Sequence, residues 1–133
     1  MMKMTMKMKT TLLLLLAGMM MTACQESFED RCAREVREYT RQQCPKKVAP
    51  EVTLDSMTFE RGSHTISYCY TLNGSIDNAA AINGEQVRQA LLQEVRNSPQ
   101  LKVYRDAGYR LRYVYFSQKE KGTQLFEATF DLH

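Results

Sequence analysis

The sequence predicts an α+β fold, with one antiparallel β-sheet of four to five strands and two helices packed on it in the order α-β-β-α-β-β. Apolar residues recur at helical spacing in two segments and alternate with polar residues in four others. Turn residues separate the strands into neighbouring pairs. We therefore expect local hairpins rather than βαβ units, with the helices on one face of the sheet.

The first helix is predicted over residues 25–43. Apolar residues recur there on one helix face: Phe28, Cys32, Val36 and Tyr39. Pro45 ends the helix, because the residue before a proline is forced out of the α region and proline has no backbone donor. Residues 46–51 are then expected to form a linker.

Strands are predicted over four alternating segments: residues 52–61, 63–72, 109–116 and 123–132. A fifth, short strand is expected near residues 101–104. Asn83 has the side chain of a helix N-cap, so the second helix is predicted from this residue to Arg96 or Asn97. In the last hairpin, the side chains of residues 111, 113 and 115 are expected to lie on the same face as those of residues 126, 128 and 130 and to contact them across the strand pair.

The N-terminus has the three zones of a signal peptide. Three lysines lie among the first nine residues, and a short apolar segment follows up to Ala23. That segment is shorter than the roughly 20 apolar residues that cross a bilayer. Met21-Thr22-Ala23-Cys24 resembles a lipobox, which implies cleavage before Cys24 and attachment of lipid to its thiol.

Three segments follow from this processing. We expect residues 1–23 to be removed as the signal peptide and residues 24–49 to hold the lipidated N-terminus, the first helix and the linker. Residues 50–133 then complete a single α+β domain. The mature chain has no other apolar anchor, so its contact with a membrane is expected to be the lipid on Cys24.

With this lipobox, a charged helix ending in Cys-Pro and the strand from Gly108 to Tyr115, the chain resembles small lipoproteins of Bacteroidetes-type bacteria. The resemblance implies the bacterial cell envelope, and we expect the outer membrane. It implies no activity, substrate or catalytic residue.

The tripeptide Asp55-Ser56-Met57 is similar to the O-glycosylation site of such bacteria, which makes Ser56 a candidate for a glycan. Strand alternation places Ser56 on the same face as Leu54, opposite to Met57, unless a bulge intervenes. Ser56 is therefore either exposed or buried with Leu54.

Composition excludes several function classes. Three of the 18 Lys and Arg residues and none of the 15 Asp and Glu residues precede Cys24, so the mature chain carries 15 of each. Without a basic stripe, we expect no nucleic-acid partner. His64 and His133 lie at no metal-ligand spacing, and no nucleophile, redox or phosphate-binding motif occurs. We expect no enzyme activity, cofactor or metal.

Export would place Cys32, Cys44 and Cys69 in a compartment that permits disulfides. A continuous first helix separates Cys32 from Cys44 by about 18 Å, beyond the roughly 4.4 to 6.8 Å between Cα atoms that a disulfide allows. We expect a Cys44–Cys69 bridge and a core role for Cys32. Because Cys69 alternates with Tyr68 and Tyr70, the bridge requires the linker to pass the outer face or an edge of the sheet.

Two faces are candidates for recognition. The first face carries four strand tyrosines: Tyr68, Tyr70, Tyr113 and Tyr115. The second face carries Arg110 and Arg112 of the penultimate strand, and Arg112 is expected to pair with Glu127 on the neighbouring strand. Core or rim packing is the alternative interpretation of the tyrosines, since they favour strands and bury their rings readily.

Two functions follow from these faces. The first is a non-catalytic envelope lipoprotein that binds or supports another envelope component, as an accessory subunit or an inhibitor. The alternative is a lipoprotein that binds a small ligand or glycan on the tyrosine-rich face. A fully packed sheet face would favour the first, and a tyrosine-lined cavity of about 300 Å³ or more would favour the second.

Overall fold

The computed structural model describes residues 25–132, so the predicted signal peptide and the predicted lipidation of Cys24 lie outside the described residues. The chain divides into two compact units, Met1–Arg31 and Cys32–His133. The described part of the first unit leads into helix α1 (Phe28–Gln43) and includes its start. Its Ser27 hydroxyl accepts a hydrogen bond of 3.1 Å from the Asp30 N–H, as an N-cap does.

The second unit continues α1 and holds a five-stranded sheet with two further helices. Helices are α1 (Phe28–Gln43), α2 (Gly84–Asn97) and α3 (Lys102–Asp106). Strands are β1 (Lys46–Ala49), β2 (Val52–Glu60), β3 (Thr65–Leu72), β4 (Arg110–Ser117) and β5 (Gln124–Asp131). Short 3-10 turns lie between β3 and α2, and a further one, Pro99–Leu101, precedes α3. No helix within residues 25–132 has the length and apolar character needed to cross a membrane.

The α+β class is confirmed, but the expectation of a purely antiparallel sheet was wrong. The strand order is β1-β2-β3-β4-β5, and the central pair β3 and β4 is parallel while the other pairs are antiparallel. The chain between them contains α2 and α3 and returns to the same end of the sheet, as a parallel connection requires. A crossover unit therefore joins the antiparallel strands β1–β3 to the β4–β5 hairpin, so the expectation of hairpins without a βαβ unit was also wrong.

Two local predictions were also wrong. Residues 46–49 form the edge strand β1 rather than a linker, with Lys46 opposite Leu54. Residues 99–106 form a 3-10 turn and α3 rather than a short strand. The Arg105 guanidinium donates hydrogen bonds to the carbonyls of Val95 at 2.9 Å and Ser98 at 2.6 Å, which fixes this turn against the end of α2.

The second helix and the last hairpin agree with the sequence. The Asn83 side chain accepts a hydrogen bond of 3.2 Å from the Gln86 N–H, so the predicted N-cap is confirmed. The register of β4 and β5 pairs Leu111 with Phe130 and Tyr113 with Ala128, and it also pairs residues 115 and 126. The expected facing of this hairpin is therefore confirmed.

The core lies between the sheet and the helices. Its most deeply buried side chains come from the central strands, from α1 and from α2: Ile66, Leu111, Cys32 and Val95. Val114 is equally buried but lies on the other face of the sheet, beside Cys69 and opposite Glu127. Cys32 is 1% exposed, which agrees with its expected place among apolar side chains. The turn between β2 and β3 includes His64 at a φ of 49°, a left-handed conformation that suits a tight reversal.

A bulge at Asp55 interrupts the alternation of β2. The register passes from Leu54 opposite Tyr70 to Ser56 opposite Cys69. One extra residue in a strand shifts the following side chains to the other face. Leu54 and Met57 therefore share the helix-covered face, and Ser56 lies half-buried on the outer face with Cys69.

Candidate ligand-binding site

A ladder of tyrosines occupies the middle of the helix-covered face. The parallel register places Tyr68 beside Tyr113 and Tyr70 beside Tyr115. The ring centroids of the first pair are 4.9 Å apart and those of the second pair 4.7 Å, with nearly parallel planes. Both strands have a Tyr-x-Tyr sequence, and their register aligns the two sequences, so each tyrosine of β3 stacks on one of β4. Since the rings cover one another's faces, they present edges and hydroxyl groups to the space under the helices.

The ladder hydroxyls are partly removed from water. Tyr113 is 5% exposed, and the other three ladder tyrosines are half-buried. Burial raises the pKa of all four phenols, to about 12 for Tyr115 and further for the others, and the Glu94 carboxylate of α2 raises each of these pKa values in addition. These hydroxyls therefore remain protonated at neutral pH and can both donate and accept hydrogen bonds.

A cavity of about 340 Å³ opens over one end of the ladder, between α1 and the turn before α3. Four tyrosines line it: Tyr39 from α1, Tyr68 and Tyr70 from β3, and Tyr104 from α3. The remaining wall is apolar except for a carboxylate and an amide: Val36, Leu54, Met57, Leu101, Glu35 and Gln100. This space, named the tyrosine cavity below, combines apolar surface with several hydrogen-bonding groups.

A second cavity of about 320 Å³ lies over the other end of the ladder, beside the start of α2. Its wall includes Tyr115 and Phe126, together with apolar side chains from β2, β3, α2 and the segment that joins β3 to α2: Val52, Leu72, Val87, Ile76 and Ile82. Gly84 approaches the Phe126 ring so closely that a Cβ atom there would meet it at 3.4 Å. Stacked Tyr70 and Tyr115 each contribute to one cavity, so the two cavities share the ladder as their floor.

The sequence identified the four ladder residues but missed two members of the cavity. Tyr104 was assigned to a strand, and Tyr39 was noted only as part of the first helix's apolar face. The helical spacing of Tyr39 from Val36 was the signal that it would face the sheet. No comparable signal identified Tyr104, because its direction depends on α3.

The arginines of β4 lie on the opposite face of the sheet and are engaged in cross-strand pairs. Arg112 contacts Glu127 at 3.0 Å, which confirms the expected pair, and Arg110 contacts Asp131 at 3.4 Å. The Arg112 hydrogen bond lowers the pKa of the Glu127 carboxyl. Both arginines therefore have an acidic partner on β5.

The cysteine and glycan candidates also lie on or near the outer face. Cys44 and Cys69 are half-buried thiols that no bond joins in the structure, so their pairing stays a prediction. Burial raises the pKa of the Cys44 thiol, and the nearby Asp55 carboxylate raises it further. Asp55 also accepts a hydrogen bond from the Thr71 hydroxyl. Among residues 25–132, no three Asp, Glu, His or Cys side chains converge as metal ligands would.

Comparison with known proteins identifies a family. The model of a domain of unknown function, DUF8479, matches residues 27–126. The chain belongs to the DUF8479 family, since this match covers well over half of its length. Comparison with curated protein sequences finds no match.

A solved structure shares the fold. It is the crystal structure, at 1.60 Å resolution, of a Pseudomonas aeruginosa protein that is inferred to be secreted. The two chains are 15% identical and superpose with a TM-score of 0.62, over 80% of this chain and 96% of the other. At this identity the similarity shows the fold alone.

Proposed function

We propose that the chain is a lipid-anchored protein of the bacterial envelope that binds a small, neutral, hydroxyl-bearing ligand in the tyrosine cavity and catalyses no reaction. The cavity carries this proposal. Its volume of about 340 Å³ falls within the roughly 300–1,000 Å³ of pockets that hold small ligands. Its wall also has the composition of such pockets, mostly apolar with a few polar groups.

The chemistry of the wall selects the ligand class. The protonated hydroxyls of Tyr68 and Tyr70 exchange hydrogen bonds with ligand hydroxyl groups. Leu54 and Met57 cover the ligand's C–H surfaces. Glu35 in the wall and Glu94 near the ladder disfavour an anion. A monosaccharide or disaccharide meets these requirements.

The envelope location is supported by the lipobox around Cys24 and by the similarity of fold to a protein that is inferred to be secreted. The hypothesis of a protein partner on the arginine face has weaker support, because Arg110 and Arg112 already pair with acidic residues of β5. The cavity therefore favours ligand binding over an accessory or inhibitory role.

Calorimetric titration of neutral sugars into the full chain, purified from its own envelope in non-ionic detergent, tests the proposal. Tyr104→Phe keeps the ring and removes one hydroxyl from the cavity. Loss of one ligand hydrogen bond is expected to weaken binding about tenfold. Tyr115→Phe is the matched control, since it removes a hydroxyl from a ladder tyrosine that lies outside the tyrosine cavity.

Binding weakened by Tyr104→Phe and unchanged in the control supports the proposal. Equal weakening in both variants, or no heat with any neutral sugar, contradicts it.

A further inference from the structure

A third pocket, of about 550 Å³, lies between α2, α3 and the end of β5, and it shares no residue with either cavity over the tyrosine ladder. Three arginines line it: Arg88 and Arg96 from α2, and Arg105 from α3. Positions 88 and 96 lie two turns apart on one side of the helix. Cationic side chains therefore reach this pocket from two helices.

The pocket holds two of these arginines in place. The Cζ atom of Arg88 lies 5.2 Å from the centre of the Phe130 ring, a distance at which a cation-π interaction holds the guanidinium over the ring. Nη1 of Arg105 donates to the carbonyls of Val95 and Ser98. The Nε and Nη2 groups of Arg105 make no hydrogen bond to residues 25–132, so two donor groups remain for a ligand.

The described residues form no ion pairs that neutralise the positive charge of the pocket. Across residues 25–132, no carboxylate lies within ion-pair distance of Arg88, Arg96 or Arg105. Asp131 is the acidic residue of the pocket wall, and it pairs with Arg110. In a mature chain with 15 basic and 15 acidic residues, this is a local excess of positive charge.

We propose that this pocket, named the arginine pocket, binds a phosphate group carried by a larger molecule. A guanidinium presents its N–H groups as a planar fork, and one such fork saturates a planar carboxylate. Three guanidiniums at separate positions instead match a tetrahedral dianion, which accepts hydrogen bonds from several directions. The volume also exceeds what a single phosphate fills, so the rest of the pocket holds the group that bears it.

The test uses the full chain in non-ionic detergent and three probes: inorganic phosphate, glycerol 3-phosphate, and detergent micelles containing phosphatidic acid. Phosphorus NMR line broadening reports binding of each probe. Arg88→Gln combined with Arg96→Gln is expected to raise the dissociation constant at least tenfold. Arg105 is kept, because its hydrogen bonds to Val95 and Ser98 support the fold.

Arg37→Gln combined with Arg41→Gln is the matched control. It removes the same charge from α1, where both arginines line a different pocket. A loss of binding confined to the α2 variant supports the proposal. Equal losses in both variants show non-specific attraction and overturn it, as does the absence of binding to all three probes.

The probes also separate the sources of the phosphate. Binding of the two small probes assigns the pocket to a phosphorylated compound in solution, and binding of the micelles alone assigns it to a lipid headgroup. Acetate that competes as well as phosphate does overturns the argument from tetrahedral geometry.

Discussion

Thr40 of α1 and Met57 of β2 exchange two hydrogen bonds of 2.9 Å each. The Thr40 hydroxyl donates to the Met57 carbonyl and accepts from the Met57 N–H. β1 pairs with β2 only as far as Leu54, so the backbone at Met57 faces an open edge. One hydroxyl thus replaces a missing strand neighbour and fixes α1 beside the tyrosine cavity.

Thr40→Val removes this hydroxyl at nearly constant shape and leaves two partly buried backbone groups without their partner. We expect a loss of about 1–3 kcal/mol in the free energy of unfolding. Urea denaturation would show a lower midpoint with an unchanged slope. Thr40→Ser keeps the hydroxyl and is the control. A Thr40→Val protein as stable as the Ser variant would show that the two hydrogen bonds add nothing.

Asp77 connects the segment before α2 to the β4–β5 turn, and its stabilising effect should depend on pH. The Asp77 carboxylate accepts a hydrogen bond of 3.0 Å from the Lys119 N–H. Its pKa is lowered, mainly because the Ser117 side chain also donates a hydrogen bond to it. A lowered pKa in the folded state adds stability that is fully present above the unfolded value of about 3.9. That stability is lost as the pH falls through the lower folded pKa.

Asp77→Asn should therefore destabilise the protein at pH 7 and reduce the dependence of its stability on pH below about 4. Denaturation curves of both proteins at pH 7 and pH 3 measure the effect. Asp106→Asn serves as the control, because Asp106 is exposed and pairs with Lys102 within α3. A stability difference between Asp77→Asn and the natural protein that is the same at both pH values would refute the titration argument.

The strands were predictable because alternation survives in the folded chain, but their pairing was not. Tyr68 and Tyr70 alternate in the same way whether β4 runs parallel or antiparallel to β3, since the face of a side chain depends on parity alone. Only the crossover through α2 decides the direction, and it depends on tertiary packing. The cap at Asn83 was predictable because it depends on neighbours in sequence.

The candidate site was predictable to the same degree. The ladder follows from alternation within two strands. The tyrosine cavity requires Tyr39 and Tyr104, which come from helices far apart in sequence and meet only in the folded chain. The bulge at Asp55 likewise could not be predicted, because a glycine within the strand is the sequence signal for a bulge and β2 contains none.

Cys24→Ser is expected to abolish lipid labelling and retention in the membrane fraction. The lipobox predicts lipid on this thiol, and no helix within residues 25–132 is long and apolar enough to cross a membrane in its place. The domain should still fold, because α1 begins at Phe28. Radioactive palmitate labelling and fractionation of cells measure the outcome. Sustained labelling of the variant would refute the assignment.

A disulfide between Cys44 and Cys69 is expected in the exported protein. Cys44 follows α1 and lies near Asp55, whose strand neighbour Ser56 is opposite Cys69. Residues 46–49 form the edge strand β1 beside β2, so the bridge requires Cys44 to reach past β2 to Cys69 on β3. Reduction should cost about 3 kcal/mol of unfolding free energy on the entropic model. Peptide mapping without reductant identifies the bond, and a link from Cys32 to either residue would overturn it.

Ser56 is expected to carry a glycan in the cell that exports the protein. A glycan needs an accessible hydroxyl, and the bulge at Asp55 turns Ser56 to the outer face while Leu54 and Met57 pack under the helices. The conflict in the alternation of β2 is thereby removed, since exposure of Ser56 no longer requires exposure of Leu54. Asp55 is exposed beside it, as a recognition tripeptide requires.

Intact-mass measurement of the protein from its own envelope tests this expectation. A glycan should add mass beyond lipid and polypeptide, and Ser56→Ala should remove it. Thr58→Ala is the control, because Thr58 lies two residues further along the same face of β2 and lacks the preceding aspartate. A mass that equals lipid plus polypeptide, or a glycan retained in Ser56→Ala, would show that this tripeptide is an ordinary part of the strand.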